Sequence, residues 1–427
     1  MNHRRRAGIG VWLVAACLVS GCASPSSPGS RETGNEPRFA ASGPDAKDYG
    51  VDAGYPIGNA STFFRVPYLV GSHSHLDQVF EGRRVRGAVA PSALGRAADE
   101  PAIRYRRDGQ MRTLDDYLAR HPTTGLIIAR DDTILVERYQ YGRNDRQRFT
   151  SWSMAKTVTA MLIGIAVAEG SIRSVDDRAE VYVPALAGTE YGRTSLRDLL
   201  QMSSGVRFRE DYTGDDDVAR LARDTFLRLG QGGIAAATPY NERAVPGGTR
   251  FSYASVETQV LGLVLTSAVG RSAAAYLEQK IWQPMGAEAD ATWLIDRSGQ
   301  EATYCCLNAV LRDYARLGLL LAHDGNWRGR QIIPAAWVVD ATSRHPEQRY
   351  LWPGVATPFL GYGYQTWIWP AETRRFALLG VRGQSILVDP QSRLVMVQTS
   401  VRKRPSNDPT AAETRAFWDG VVATLGK

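Results

Sequence analysis

Apolar and polar positions alternate through Gly125-Leu-Ile-Ile-Ala-Arg130, break at Asp131-Asp132, and resume in Thr133-Ile-Leu-Val-Glu-Arg-Tyr139. Two such runs around a turn pair predict a β-hairpin, and with it the start of a sheet. Met154 to Glu169 is instead apolar almost all round and stops at Gly170. That pattern predicts a helix buried between layers rather than one lying on a surface. Further helices are predicted over Leu196 to Met202, Val218 to Leu229, Val256 to Val269, Ala273 to Trp282 and Leu307 to His323. Strands return at Arg375 to Leu379, Gln384 to Val388 and Leu394 to Thr399, and Ala411 to Leu425 closes as a helix. Strands near both ends with helices between them predict an α/β (α+β) fold. It is an antiparallel β-sheet flanked by helices, with a mostly helical second lobe at about 170–325 and a cleft where the two meet.

The N-terminus follows another logic. Arg4 to Arg6 form a positive region, Val11 to Val19 an apolar stretch too short to span a bilayer comfortably, and Val19-Ser20-Gly21-Cys22 resembles a bacterial lipobox. Residues 1–21 are therefore expected to be a lipoprotein signal peptide, with Cys22 lipidated as the first mature residue. The Ser, Pro, Gly and Asp-rich stretch after it predicts a flexible tether over 22–52. Residues 53–120 are then an N-terminal extension packed on a main body at 121–427. The expected location is the bacterial envelope, and Ala23 after Cys22 favours the periplasmic face of an outer membrane. No later apolar run is long and uninterrupted enough to span.

Composition narrows the function classes. A chain of 427 residues that is 44% hydrophobic and 22% charged is too apolar to be disordered. The 51 basic residues exceed the 44 acidic ones by seven, three of them in the signal, which leaves too small and scattered an excess for nucleic acid. Cys17 and Cys22 belong to the signal, leaving Cys305 and Cys306, which as neighbours are expected to stay as two buried thiols. His73 and His75 with Asp77 form a metal constellation too weak to support a metal site. No nucleotide loop or dinucleotide fingerprint implies a cofactor, and no Gly-x-Ser-x-Gly elbow is present.

Only five of the basic residues are Lys, and one of them, Lys156, lies inside the apolar helix three residues after Ser153. Side chains three apart share one helix face and can touch. A serine hydroxyl becomes a nucleophile when a base takes its proton, and a desolvated Lys can be that base, whereas Arg stays protonated. The helix start also supplies backbone N–H groups for an oxyanion. The alternative is a capping Ser beside a snorkelling Lys. A second pair of the same spacing, Ser400 and Lys403, sits in a basic, Pro-containing stretch where nothing would desolvate the amine.

Two later elements are chemically suggestive. Phe251-Ser-Tyr253-Ala-Ser255 precedes a helix and could place a phenol and a hydroxyl in the cleft; a core Tyr beside a capping Ser is the alternative. Gly380-Val-Arg-Gly383-Gln-Ser385 interrupts a late strand with small residues, either to admit a substrate backbone or to mark a bulge.

The order Ser-x-x-Lys, Tyr-x-Ser, Gly-containing late strand resembles that of the serine β-lactamase and penicillin-binding protein superfamily. The likeness is closest to its class C and esterase branch, and within that to the 6-aminohexanoate-dimer hydrolases. Ser151-Trp-Ser-Met-Ala-Lys-Thr157, Leu199-Leu-Gln-Met-Ser-Ser-Gly-Val206, Phe208-Arg-Glu-Asp-Tyr212 and Arg312-Asp-Tyr-Ala-Arg-Leu-Gly318 carry it, from about Phe63 to the C-terminus. The resemblance implies a β-lactamase/transpeptidase-like fold and a serine hydrolase in which Ser153 is acylated, Lys156 is its base and Tyr253 relays the proton. It also implies an oxyanion hole from the N–H of Ser153 and one near Gln384, and a Tyr212 that reaches the leaving nitrogen. Asp215-Asp-Asp217 reads as a solvated turn in preference to a site for a substrate ammonium. Ser255, Gly383 and Gln384 are expected beside the substrate, and Arg382 could hold its carboxylate or point outward. Ser255 stands where many lactamases have Asn, and no Lys-Thr-Gly occurs at the third element. A small amide or ester is thus the expected substrate. A D,D-peptidase or β-lactamase acting on peptidoglycan or β-lactams is the alternative, and a tethered binding module without turnover fits an intact trio least.

Overall fold

The computed structural model describes residues 35–426. The expected signal peptide, the lipidation site Cys22 and the first part of the tether lie outside the described residues.

The hairpin forms as read, with strands at Thr123–Arg130 and Thr133–Tyr139. Numbered along the chain, the main sheet contains β1 (Arg38–Phe39), β2 (Gly95–Arg96), β3 (Thr123–Arg130), β4 (Thr133–Tyr139), β5 (Gly361–Tyr362), β6 (Trp367–Ile368), β7 (Phe376–Gly380), β8 (Gln384–Asp389) and β9 (Leu394–Ser400). Their order is β1-β4-β3-β9-β8-β7-β6-β5, with β2 also on β4. Every pair from β4 to β5 is antiparallel, and the short β1 and β2 add to β4 in parallel.

Alternation along the central strands divides the core. Leu126, Ile128, Leu394 and Met396 face a layer built on α5 (Ala411–Leu425) through Phe417, Trp418 and Val421. Ile127, Ala129, Val395 and Val397 face the larger core on the other side, which contains α1 (Ala155–Ala168), α3 (Ser255–Val269) and α4 (Leu311–Ala322). The period of two therefore puts successive side chains into different hydrophobic cores. In α1 every residue from Ala155 to Ala166 is buried, as its all-round apolarity requires. A Cβ on Gly164 would fall 2.3 Å from the Trp337 ring, so glycine lets that indole lie directly on the helix.

Several expectations are corrected. The tether cannot extend to residue 52, because 35–52 packs on the body: Tyr49 is 1% exposed, Tyr141 donates to the Pro44 carbonyl at 2.7 Å, and Lys403 pairs with Asp45 and Asp48 at 2.8 and 2.6 Å. Aromatic anchors within a polar stretch do this work, and composition averages them away. Leu307 to His323 is not one helix. Leu307–Ala309 pairs with Phe149–Thr150 and Ala291–Leu294 as a strand of a small four-stranded sheet, and only then does α4 begin. The segment at Val218 to Leu229 is helical as α2 (Asp217–Asp224) and then turns. Cys305 and Cys306 are joined as a disulfide rather than left as two thiols. Cys306 takes a left-handed backbone (φ 67°), and the Trp293 indole N–H is shared by the carbonyls of Ala302 and Cys305. That turn is set by tertiary contacts that neighbouring positions in a sequence do not reveal.

Candidate active site

Ser153 lies on a short 3-10 turn, Trp152–Met154, that leads into α1. Trp152 has φ 43°, a conformation that costs a bulky residue energy and persists because its surroundings hold it. Ser151 is the fastener: its N–H donates to the Leu307 carbonyl at 2.7 Å, and its Oγ donates to the Trp152 carbonyl while accepting from the Leu307 N–H. On the opposite side β7 closes in. A Cβ on Gly380 would sit 2.5 Å from the Ser151 carbonyl oxygen, so only glycine lets the strand end run against the turn that carries Ser153.

Lys156 follows one helical turn later and is 1% exposed. Its Nζ is 2.9 Å from Ser153 Oγ and 3.0 Å from the Tyr304 carbonyl. It lies 4.9 Å from the Tyr253 ring centroid and 5.4 Å from that of Tyr304. Burial pushes the amine down to about 8, against an opposing pull from the nearby Glu210 carboxylate. The competing Ser400 and Lys403 pair is different: Ser400 donates to the Pro122 carbonyl, and Lys403 is the exposed partner of Asp45 and Asp48.

Tyr253 stands just before α3, and its phenol is near enough to the Ser153 side chain to feel it electrostatically. Its ring stacks on Trp367 at 5.3 Å and meets Tyr362 edge-on at 6.1 Å. Burial raises the phenol well above its ordinary range, so it remains protonated. Ser153, Lys156 and Tyr253 are thus brought together from two helix starts.

Glu210 was assigned no role from the sequence, although it lies within Phe208-Arg-Glu-Asp-Tyr212. Its half-buried carboxylate accepts from the Ser255 N–H at 2.6 Å, from Ser255 Oγ at 2.7 Å and from the Tyr212 hydroxyl at 2.8 Å. Burial raises its affinity for a proton, and Lys156 opposes this. Ser255 and Tyr212 therefore both border the cavity, tied together by a residue whose only signal was its place in a family-like segment.

The late-strand expectations need correction. Arg382 has φ 61°, and this turn carries its guanidinium away from the cleft. It donates to the carbonyls of Arg402, Lys403 and Phe64 and lies 4.0 Å from the Phe64 ring centroid. It cannot hold a substrate carboxylate from there. The Gln384 side chain is equally committed, donating to the Ser400 carbonyl and accepting from the Ser400 N–H. A Cβ on Gly383 would fall 2.8 Å from Arg402 Nε, so it too faces the strand behind. Val381 is the member of this turn that borders the cavity.

That cavity, about 370 Å³, has Ser153 in its wall together with Trp152, Glu210, Tyr212, Ser255 and Tyr304. The rest is mainly apolar, from Phe63, Phe64 and the α2 side chains, with Cys305 at one edge. His73, His75 and Asp77 diverge: His73 packs on Trp152 and Phe64, His75 faces the Gly71 carbonyl, and Asp77 pairs with Arg148. Among the described residues, no group of three or more His, Cys, Asp or Glu side chains could hold a metal ion.

A serine touching a buried lysine, with a tyrosine beside the pair, defines a serine hydrolase that works without a histidine base. The Beta-lactamase family model matches residues 111–417, and the chain belongs to that family. It is 26% identical over 353 residues to the 6-aminohexanoate-dimer hydrolase of Paenarthrobacter ureafaciens, covering 80% of this chain and 89% of that protein. A Bacillus anthracis structure assigned as a 6-aminohexanoate-dimer hydrolase superposes with a TM-score of 0.77 at 24% identity, over 86% of this chain and 96% of its own. A family VIII carboxylesterase superposes at 0.52 with 17% identity, over 72% of this chain and 93% of its own. The protein is thus a serine hydrolase of the β-lactamase and penicillin-binding protein superfamily, similar to the 6-aminohexanoate-dimer hydrolases, with the mixed fold of that group.

Proposed function

We propose that this enzyme hydrolyses amide or ester bonds of small molecules through an acyl-enzyme on Ser153. The observation that carries the reading is the 2.9 Å contact between Ser153 Oγ and a buried Lys156 Nζ whose proton affinity is lowered. The neutral amine takes the hydroxyl proton as Oγ bonds to the substrate carbonyl carbon, and the carbonyl π electrons move to oxygen. The backbone N–H of Ser153, together with one from the late strand near Gln384, stabilises that oxyanion. Collapse re-forms the carbonyl and expels the amine or alcohol, which takes a proton through Tyr253, with Tyr212 facing the leaving atom. Water then attacks the acyl carbon by the reverse proton path and frees Ser153. The absence of Lys-Thr-Gly and the turned-away Arg382 favour linear amides and esters over β-lactams.

The test is intact-mass detection of adducts, with turnover, on p-nitrophenyl esters of short acids, linear amides and penicillins. An acyl adduct or turnover is expected with at least the esters and disappears in Ser153→Ala. A folded wild type that neither labels nor turns over any of the three classes would sink the reading.

We further propose export and lipid anchoring through Cys22, on the strength of the lipobox-like Val19-Ser20-Gly21-Cys22. Cys22→Ala is expected to move the protein from the membrane fraction to the soluble one. Unchanged fractionation would refute the anchor.

A further inference from the structure

One charged group at the exposed rim of the cavity is not engaged in an ion pair. Arg223 is the only basic residue among those that border the cavity. Among the described residues, its side chain makes no hydrogen bond or ion pair. The acidic groups of the same wall are committed elsewhere. Glu210 is held by Ser255 and Tyr212, and Asp216 accepts from the backbone N–H groups of Asp211, Tyr212 and Ala219 as the N-cap of α2. Asp215 faces Arg209, and Asp217 accepts from the Arg209 N–H. The acidic run is therefore internal wiring of the turn, and the available charge in this wall is positive.

The helix fixes where that charge lies. Val218, Ala219, Ala222 and Arg223 of α2 border the cavity at the three- and four-residue spacing of one helix face, with the N-cap Asp216 before them and Phe226 in the turn after them. Through Asp216 the start of α2 is tied to Tyr212, beside Glu210 and Ser255. Arg223 comes seven residues later, about 10 Å along the axis. Between them the face presents the apolar side chains of Val218, Ala219 and Ala222, and Phe226 closes the trough next to Phe63 and Trp152. An apolar trough thus leads from the reacting serine toward a guanidinium with free donors.

We propose that Arg223 is a specificity-determining residue that selects substrates with a carboxylate at the end of an apolar chain of several carbons. The proposal rests on the hydrolase reading above and names the substrate class for that same site. A guanidinium fork matches a carboxylate bidentately, and a cationic chain end would meet it unfavourably.

The test uses p-nitrophenyl esters whose six-carbon acid chain ends in methyl, carboxylate or ammonium. A matching series carries the chain in the alcohol, since the trough lies to one side of Ser153. In one of the two series, wild-type kcat/KM is expected to be at least tenfold higher for the carboxylate than for the ammonium end, and the ratio should shrink as salt is raised. Arg223→Gln brings the ratio near one, Arg223→Glu inverts it, and Arg223→Lys retains part of it. Arg330→Gln, which removes the same charge from an exposed strand elsewhere, leaves it in place. A wild type without the preference in either series overturns the proposal, as does a preference that survives in Arg223→Gln. If the methyl-ended esters are not hydrolysed either, the hydrolase reading itself has failed.

Discussion

Lys156→Arg keeps the positive charge and loses the reaction: kcat/KM is expected to fall by on the order of 10²–10⁴, the range a positioned general base supplies. Arg stays protonated in any protein setting, so it cannot accept the Ser153 proton whatever its position. In the wild type the amine is pushed down to about 8 by burial, and the neutral form is the active one. Activity should therefore rise with pH and level off above that value. The variant should show low activity without that limb, and a variant that retained the limb would exclude Lys156 as its source. The same shift has a stability consequence of definite sign. Between about 8 and the ordinary value of 10.5 the folded protein binds fewer protons at this site than the unfolded chain, so this group's contribution makes stability rise with pH across that window.

Tyr253→Phe separates the proton relay from the packing. The ring keeps its stack on Trp367 and its edge contact with Tyr362. Loss of the hydroxyl's polar interaction costs about 1 kcal/mol of stability, a shift of only about 1 °C in Tm for a chain of this size. Turnover of linear amides is expected to drop by about 10²–10³, because an amine cannot leave without a proton. The acylation burst with p-nitrophenyl esters, whose leaving group departs as an anion, should lose far less, whereas deacylation is slowed for both substrates alike. Equal losses of acylation rate on both substrates would mean that the phenol acts on the nucleophile or the oxyanion rather than on the leaving atom.

Local patterns were enough for much of the framework. Alternation in Thr123–Arg130 and Thr133–Tyr139 placed the central hairpin, and the apolar run after Met154 placed a buried helix with a lysine inside it. Reading failed where contacts distant in sequence decide. Leu307–Ala309 looks helical when joined to the apolar stretch of Leu311–Ala322, yet it pairs with Ala291–Leu294. Residues 35–52 look like a linker by composition, yet Tyr49 is buried against Tyr141. Cys305 and Cys306 look like separate thiols until the left-handed turn at Cys306 is known.

The site divides in the same way. That Ser153, Lys156 and Tyr253 belong together was expected from the motif order shared with the superfamily, since residue types alone left a capping Ser and a core Tyr open. Glu210 was not, because a lone carboxylate has no meaning until the donors of Ser255 and Tyr212 are seen to converge on it. For Arg382 the sequence left a carboxylate-holding and an outward-pointing placement open, because strand spacing does not report a left-handed φ that turns the side chain behind the sheet. The sequence by itself determined which groups could react, since proton affinity and nucleophilicity belong to residue types. Only the tertiary structure decided which of them face one cavity, because burial, backbone handedness and the nearness of remote segments arise when the chain closes on itself.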